Sequence, residues 1–211
     1  MNAILTELGK IGIIPVIRIE DEGKAVPLAR ALIAGGIPCA EITFRSAQAE
    51  EAIALISKEV PEILLGAGTV LRPEQADKAI AAGARFIISP GFNPRVVSHC
   101  LGKGTLIAPG CSNPTDIEMA LEMGLEAVKF FPAEQAGGLE YIKAVAAPYS
   151  SMYFIPTGGI NVQNIAKYIA FKKVLACGGS WMAPPDLINA GDFGAIKTLC
   201  REAVQLVKES R

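Results

Sequence analysis

Histidine is almost missing from this chain: His99 is the only one in 211 residues. That rules out a metal centre built on three histidines, or on two histidines and a carboxylate. A serine–histidine charge relay would have to use His99, and no Gly-x-Ser-x-Gly is present to display the serine. Cysteine is also sparse. Cys39, Cys100, Cys111, Cys177 and Cys200 are odd in number, widely spaced and form no Cys-x-x-Cys. Neither a disulfide framework nor a zinc knuckle is expected. No unbroken apolar run approaches the roughly 18 residues that read as a membrane span. The N-terminus lacks the basic-then-apolar pattern of a signal peptide. Lys+Arg number 20 and Asp+Glu 21, a net charge of -1, and the basic residues are scattered without an aromatic–basic cluster. No nucleic acid and no membrane surface is expected as a partner. The expectation is a reduced, soluble, cytoplasmic protein.

What the chain does have is apolar content, 51% of its residues, with a mean hydropathy of +0.36. That suits strands covered on both faces. Short β-rich runs recur at Ile13–Ile17, Ile37–Phe44, Ile63–Ala67, Arg85–Ser89, Thr105–Ala108, Glu126–Phe131, Met152–Pro156 and Lys173–Ala176. Amphipathic stretches such as Lys24–Ala34, Gln48–Ser57, Glu74–Ala81 and Pro114–Glu122 lie between them. Asn113 and Asn161 are candidate helix N-caps, and Gly35-Gly36, Gly83 and Gly124 sit where helices should end. Strict β–α alternation argues for a parallel sheet. Eight units favour a closed (β/α)₈ barrel over an open doubly wound sheet, whose Gly-x-Gly-x-x-Gly is missing after the first strand. Residues 1–9 read as an extra N-terminal helix that plugs the barrel bottom, and Asp192–Ser210 as a last long helix. With no linker or low-complexity tract, residues 1–211 form a single domain in this reading.

Barrel active sites lie at the C-terminal strand ends, and strand residues alternate faces, so parity tells which side chains can meet inside. On the second strand Ala40, Ile42 and Phe44 share one face and suit packing under helices. Glu41, Thr43 and Arg45 share the other and point inward. This pattern fits either a structural ion pair or catalysis. The third strand ends Gly66-Ala-Gly-Thr69, where glycines let a ligand approach the backbone and a hydroxyl can donate to an anion; it also fits a plain tight turn. On the sixth strand Lys129 and Phe131 face inward by the same rule. A lysine inside a barrel is costly unless paired or neutral, and the neutral amine is the form that attacks a carbonyl. The alternative is a buried stem with its head in water at the rim. Glu41 in the same lumen supplies the proton shuttle that imine chemistry needs. Gly158-Gly159 after the seventh strand and Gly178-Gly179 after the eighth stand where barrels cradle phosphate.

Seven motifs together resemble the 2-keto-3-deoxy-6-phosphogluconate aldolase family, also called 4-hydroxy-2-oxoglutarate aldolases. They are Glu41-Ile-Thr-Phe-Arg45, Gly66-Ala-Gly-Thr69, Ile88-Ser-Pro-Gly91, Pro109-Gly110, Lys129-Phe-Phe-Pro-Ala133, Pro156-Thr-Gly-Gly159 and Gly178-Gly-Ser-Trp181. The likeness runs along essentially the whole chain, each motif at its own strand end. It implies a (β/α)₈ barrel, a homotrimer, no metal or organic cofactor, and a phosphorylated 2-keto acid as substrate. It implies Lys129 as the Schiff-base lysine and Glu41 as the proton-transfer carboxylate. Arg45 and Thr69 would hold the substrate carboxylate, Pro90 and Phe131 shape the pocket, and Gly158, Gly159, Gly179 and Ser180 bind phosphate. Arg18, at the first strand end, matches an arginine of those members that act on related sugar acids. The competing readings are the same chemistry on the galactonate epimer or on 4-hydroxy-2-oxoglutarate, a non-covalent phosphate-binding barrel enzyme, and a phospho-ligand sensor.

Overall fold

The computed structural model describes residues 1–211. Its strands are β1 (Ile13–Ile17), β2 (Cys39–Thr43), β3 (Leu64–Gly68), β4 (Phe86–Ile88), β5 (Leu106–Ala108), β6 (Ala127–Phe130), β7 (Tyr153–Pro156) and β8 (Cys177–Gly179). The helices are α1 (Ala3–Ile11), α2 (Ala25–Ala34), α3 (Ala49–Glu59), α4 (Pro73–Ala81), α5 (Pro94–Gly102), α6 (Pro114–Glu122), α7 (Gly138–Ala146), α8 (Ile165–Ile169), α9 (Pro185–Ala190) and α10 (Phe193–Glu209). Each of β1 to β7 falls within the strand run expected there or overshoots it by one residue.

All strand pairs are parallel. Six strands form one curled sheet in the order β5-β4-β3-β2-β1-β8, and β6 and β7 form a second. Isolated parallel bridges join Gly110 to Lys129 beyond the end of β5, and Phe154 to Val174 and Thr157 to Gly178 on the β7 side. One contiguous cluster of 66 buried hydrophobic residues lies within the sheet and under the helices. Burying that much apolar surface is the main driving force for the fold.

The local signals act as read. Asn113 Oδ1 accepts from Asp116 N at 3.1 Å and Pro114 occupies the first turn, so α6 starts where its cap places it. Asp192 caps α10 through Ala195 N at 2.9 Å. The recurring αβ turn relies on Gly36, Gly83 and Gly124, with φ of 93°, 106° and 75°. Only glycine adopts such values without strain.

The eighth strand departs from expectation. It is Cys177–Gly179, not Lys173–Ala176, and Val174 makes only the isolated bridge to Phe154. Gly178 and Gly179 are therefore paired strand residues, opposite Ile14 and Pro15, and the turn begins at Ser180. Packing explains the shift: a Cβ on Gly178 would lie 2.3 Å from Thr157 Oγ1, and one on Gly179 1.9 Å from the Trp181 ring. Bare backbone is what lets neighbouring side chains close over this strand.

Helix α1 is fastened at both ends. Asn2 Oδ1 accepts from Ile4 N at 2.8 Å. Arg211 donates to the carbonyls of Lys10 (2.8 Å) and Gly9 at the helix C-terminus. Glu126, just before β6, accepts from Asn2 N at 2.7 Å and lies 3.1 Å from the terminal ammonium. These two contacts, the backbone hydrogen bond first, hold the Glu126 carboxyl below its usual range. A lowered carboxyl stabilises the fold fully above its unfolded value, near 4.3, and loses that contribution as pH falls through its folded value. Glu126→Gln is expected to lower stability at neutral pH by no more than about 1 kcal/mol, because the group is partly exposed. The deficit should fade between neutral and strongly acid pH, as the carboxyl is protonated in both states. Urea titrations at the two pH values check this, and a deficit unchanged in acid would place its origin elsewhere.

Candidate active site

Parity brings the two key side chains together. Glu41 on β2 and Lys129 on β6 are 1% and 5% exposed, and Lys129 Nζ lies 3.6 Å from Glu41 Oε1. Glu41 Oε1 is buried and accepts no hydrogen bond. A structural ion pair at this depth would have its lone pairs satisfied, since a buried unpaired acceptor costs about 1–3 kcal/mol. The arrangement instead keeps a carboxylate oxygen and an amine close together with unfilled bonding capacity. The Phe131 ring centroid is 5.3 Å from Lys129 Nζ, and 37% of Phe131 is exposed, so its ring contacts both the amine's surroundings and solvent.

Glycine makes room for this pair. A Cβ on Gly68, at the end of β3, would sit 1.9 Å from Glu41 Oε1. Pairing β2 with β3 places Thr43 opposite Gly68 and Glu41 opposite Gly66. The next residue, Thr69, is the one non-glycine residue with positive φ, 55°. A threonine held in that region is strained, which is a common mark of a functional site.

Thr43 is buried and donates to Ile17 O at 2.8 Å, and Arg45 Nε donates to Thr43 Oγ1 at 3.1 Å. Arg45 stands just past the end of β2 with its terminal nitrogens making no bond in the chain. It lines a cavity of about 170 Å³ together with Thr157, Gly158, Gly159, Gly179 and Ser180. The carbonyls of Gly158 and Gly159 are taken up: Glu134 N donates to the first at 3.1 Å, and Asn164 Nδ2 and Asn161 Nδ2 to the second at 2.9 and 3.2 Å. The amides of Gly159 and Ile160 donate to no acceptor in the chain, while the bridge from Thr157 to Gly178 turns the Gly158 amide toward β8. A guanidinium and unpaired amides lining one cavity suit an anion.

Pro90 lies at the end of β4, where its carbonyl leaves no space for a side chain at Gly110: a Cβ there would be 2.0 Å from Pro90 O. Arg18 is not drawn in. It is exposed, pairs with Glu20 at 3.0 Å and does not line the anion cavity. Two residues were missed by sequence reasoning. Thr157 is 7% exposed and lines the cavity, and Gly68 gives Glu41 its space. The alternation Tyr153, Ile155, Thr157 carried the signal for the first; the second stood in the Gly66-Ala-Gly-Thr69 turn, whose glycines the sequence marks as room for a ligand and not for Glu41. Cys111 is a packing residue. Burial, with the Asp116 carboxylate next, pushes its thiol far up, and it donates to Pro109 O and Asp116 O. A thiol kept protonated is a poor nucleophile.

The model of the family described as KDPG and KHG aldolase matches residues 4–199. The chain belongs to that family. The 2-dehydro-3-deoxy-phosphogluconate aldolase of Treponema pallidum (strain Nichols) is 55% identical over 98% of this chain and 99% of its own. The KDPG aldolase of Legionella pneumophila, with pyruvate captured at low pH as a covalent carbinolamine intermediate, matches at 38% identity and a TM-score of 0.90, covering 94% of this chain and 95% of that one. The 2-keto-3-deoxy-6-phosphogluconate aldolase of Zymomonas mobilis ZM4, with 3-phosphoglycerate, matches at 39% identity and a TM-score of 0.87, covering 94% of each chain. Membership of an aldolase family accounts for a buried amine beside an unsatisfied carboxylate, which a purely structural pair leaves unexplained.

Gly68→Ala tests how closely the strands position Glu41. The added methyl is expected to destabilise the protein by roughly 1–3 kcal/mol and to swing the carboxylate off Lys129. Thermal unfolding and a crystal structure of the variant check both effects. An unmoved Glu41 would refute the argument.

Proposed function

We propose that this chain is a Schiff-base aldolase that cleaves 2-keto-3-deoxy-6-phosphogluconate to pyruvate and glyceraldehyde 3-phosphate. The same site would cleave 4-hydroxy-2-oxoglutarate to pyruvate and glyoxylate. The observation that carries the reading is the buried contact of Lys129 Nζ with Glu41 Oε1 at 3.6 Å, beside an anion-suited cavity. In this reading residues 1–211 are one domain, and the bridges at Gly110–Lys129 and Thr157–Gly178 support closure of the two sheets into an eight-stranded (β/α)₈ barrel. The family likeness supports a cytoplasmic homotrimer that uses no metal or organic cofactor.

Lys129 attacks the C2 ketone, and loss of water gives a protonated imine. Glu41 takes the C4 hydroxyl proton. The C3–C4 bond breaks, its electron pair flows into the imine, and the aldehyde leaves. The remaining enamine takes a proton at C3 from Glu41. Hydrolysis frees pyruvate and restores the amine. Arg45 and Thr69 hold the substrate carboxylate so that the ketone lies within reach of Lys129. Phe131 and Pro90 wall the pocket, and Gly158, Gly159, Gly179 and Ser180 receive the phosphate. Arg45 borders both regions, since it hydrogen-bonds Thr43 and lines the anion cavity. Arg18, exposed and paired with Glu20, would act only on the part of the substrate nearest the rim.

Incubation with pyruvate, borohydride reduction and peptide mass spectrometry should locate a stable adduct on Lys129. No adduct in folded protein would sink the aldolase reading in favour of a non-covalent phosphate-binding barrel. Glu41→Gln should slow turnover by about 10²–10⁴ while still allowing imine formation. Steady-state turnover of the gluconate and galactonate epimers and of 4-hydroxy-2-oxoglutarate, side by side, identifies the preferred acid. Normal turnover in the glutamine variant would remove Glu41 from the chemistry.

A further inference from the structure

Glu134 has no part in the mechanism above, yet it holds the loop from Gly158 to Asn164 at both ends. At the near end its backbone N–H donates to Gly158 O at 3.1 Å, beside the Ala133 N–H that donates to Thr157 O at 2.8 Å. Its Cβ and Cγ fill the space beneath Gly159, where a Cβ would lie 2.7 Å from each. At the far end Oε1 accepts from the Tyr168 hydroxyl and lies 3.6 Å from Lys167 Nζ, and both residues belong to α8. Gly138 (φ 63°) keeps this junction open: a Cβ there would stand 3.2 Å from the Tyr168 oxygen and 3.3 Å from Glu134 Oε1. Tyr168 is buried, and burial first, then the bond to Glu134, pushes its phenol up, so it remains a proton donor at any ordinary working pH.

A free carboxylate this close to an anion cavity would repel its ligand. The hydroxyl of Tyr168 and the ammonium of Lys167 offset that charge, which leaves Glu134 a mechanical part to play. With Gly158 O held by Glu134 and Gly159 O by Asn161 and Asn164, the amides of Gly159 and Ile160, residues that line the cavity, are left without an acceptor in the chain.

We propose that Glu134 is a positioning residue for phosphorylated substrates: it clamps both ends of the Gly158–Asn164 loop so that the loop's amides stay set for a phosphate. The proposal rests on the aldolase reading of the site. Glu134→Ala is expected to raise KM for the phosphorylated acid about tenfold or more. Turnover of unphosphorylated 4-hydroxy-2-oxoglutarate and borohydride trapping of pyruvate should stay within about twofold, because Lys129 and Glu41 are untouched. Glu134→Gln keeps an oxygen for Tyr168 and should recover most of the lost affinity, while Tyr168→Phe should resemble the alanine variant. Inorganic phosphate binding, followed by fluorescence of Trp181, the single tryptophan, should weaken in parallel without any dependence on aldol chemistry. Equal losses on both substrates, or tighter phosphate binding in Glu134→Ala, would overturn the clamp. If wild-type protein forms no pyruvate adduct but phosphate binding responds as described, the aldolase reading fails and the clamp stands. If the adduct forms and phosphate binding is flat across the variants, the clamp alone fails.

Discussion

An amine and a carboxylate 3.6 Å apart, both out of contact with bulk water, are the constraint around which the rest of this structure is arranged. Neither group would be buried alone, because removing an unpaired charge from water is prohibitively unfavourable. Placing them together requires two strands far apart in sequence to present residues of the same parity at the same height. It also requires a third strand to leave space. The pairing of β2 with β3 provides the space at Gly68, and the bridge from Gly110 to Lys129 sets the height of β6 against β5. The strain at Thr69, the one non-glycine residue with positive φ, lies directly beside this point.

The second region of the site is built on different physics. Around the cavity beside Arg45, the carbonyls of Gly158 and Gly159 are satisfied from outside it, and the amides of Gly159 and Ile160 have no acceptor in the chain. Residues that do not line it do the satisfying: the backbone N–H of Glu134 for Gly158, and the side-chain amides of Asn161 and Asn164 for Gly159. Arg45 links the two regions, reaching Thr43 on one side and the glycine loops on the other. An aldolase that must hold a carboxylate, a ketone and a phosphate on one extended substrate needs such a bridge.

Much of this was legible in the chain itself. Period-two alternation put Glu41 and Lys129 on inward faces, and the two did meet. Gly36, Gly83 and Gly124 marked helix ends because their positive φ is one that other residues avoid. The eighth strand was misplaced because Val174-Leu-Ala176 has the apolar, β-favouring composition of a strand while Cys177-Gly-Gly179 has little. Pairing with β1 overrode local propensity there. Arg18 seemed poised at a strand end, but a charge with the free choice of water and a neighbouring carboxylate takes both, and it turned outward to Glu20.

By itself the sequence determined the alternation of strands and helices, the parity of each strand, and the residue types at each strand end. These follow from local sterics and hydrophobic periodicity, which act over a few residues. Only the tertiary structure decided that Glu41 Oε1 would lack a hydrogen bond, that Gly68 would be the residue making room for it, and that Thr157 and Arg45 would share one cavity. The joining of the Gly158 loop to Tyr168 through Glu134 was decided at the same level. Each of these is a contact between segments distant in the chain. Their distances are set by how strands register and how side chains fill the space between them, and no local pattern in the sequence encodes that geometry.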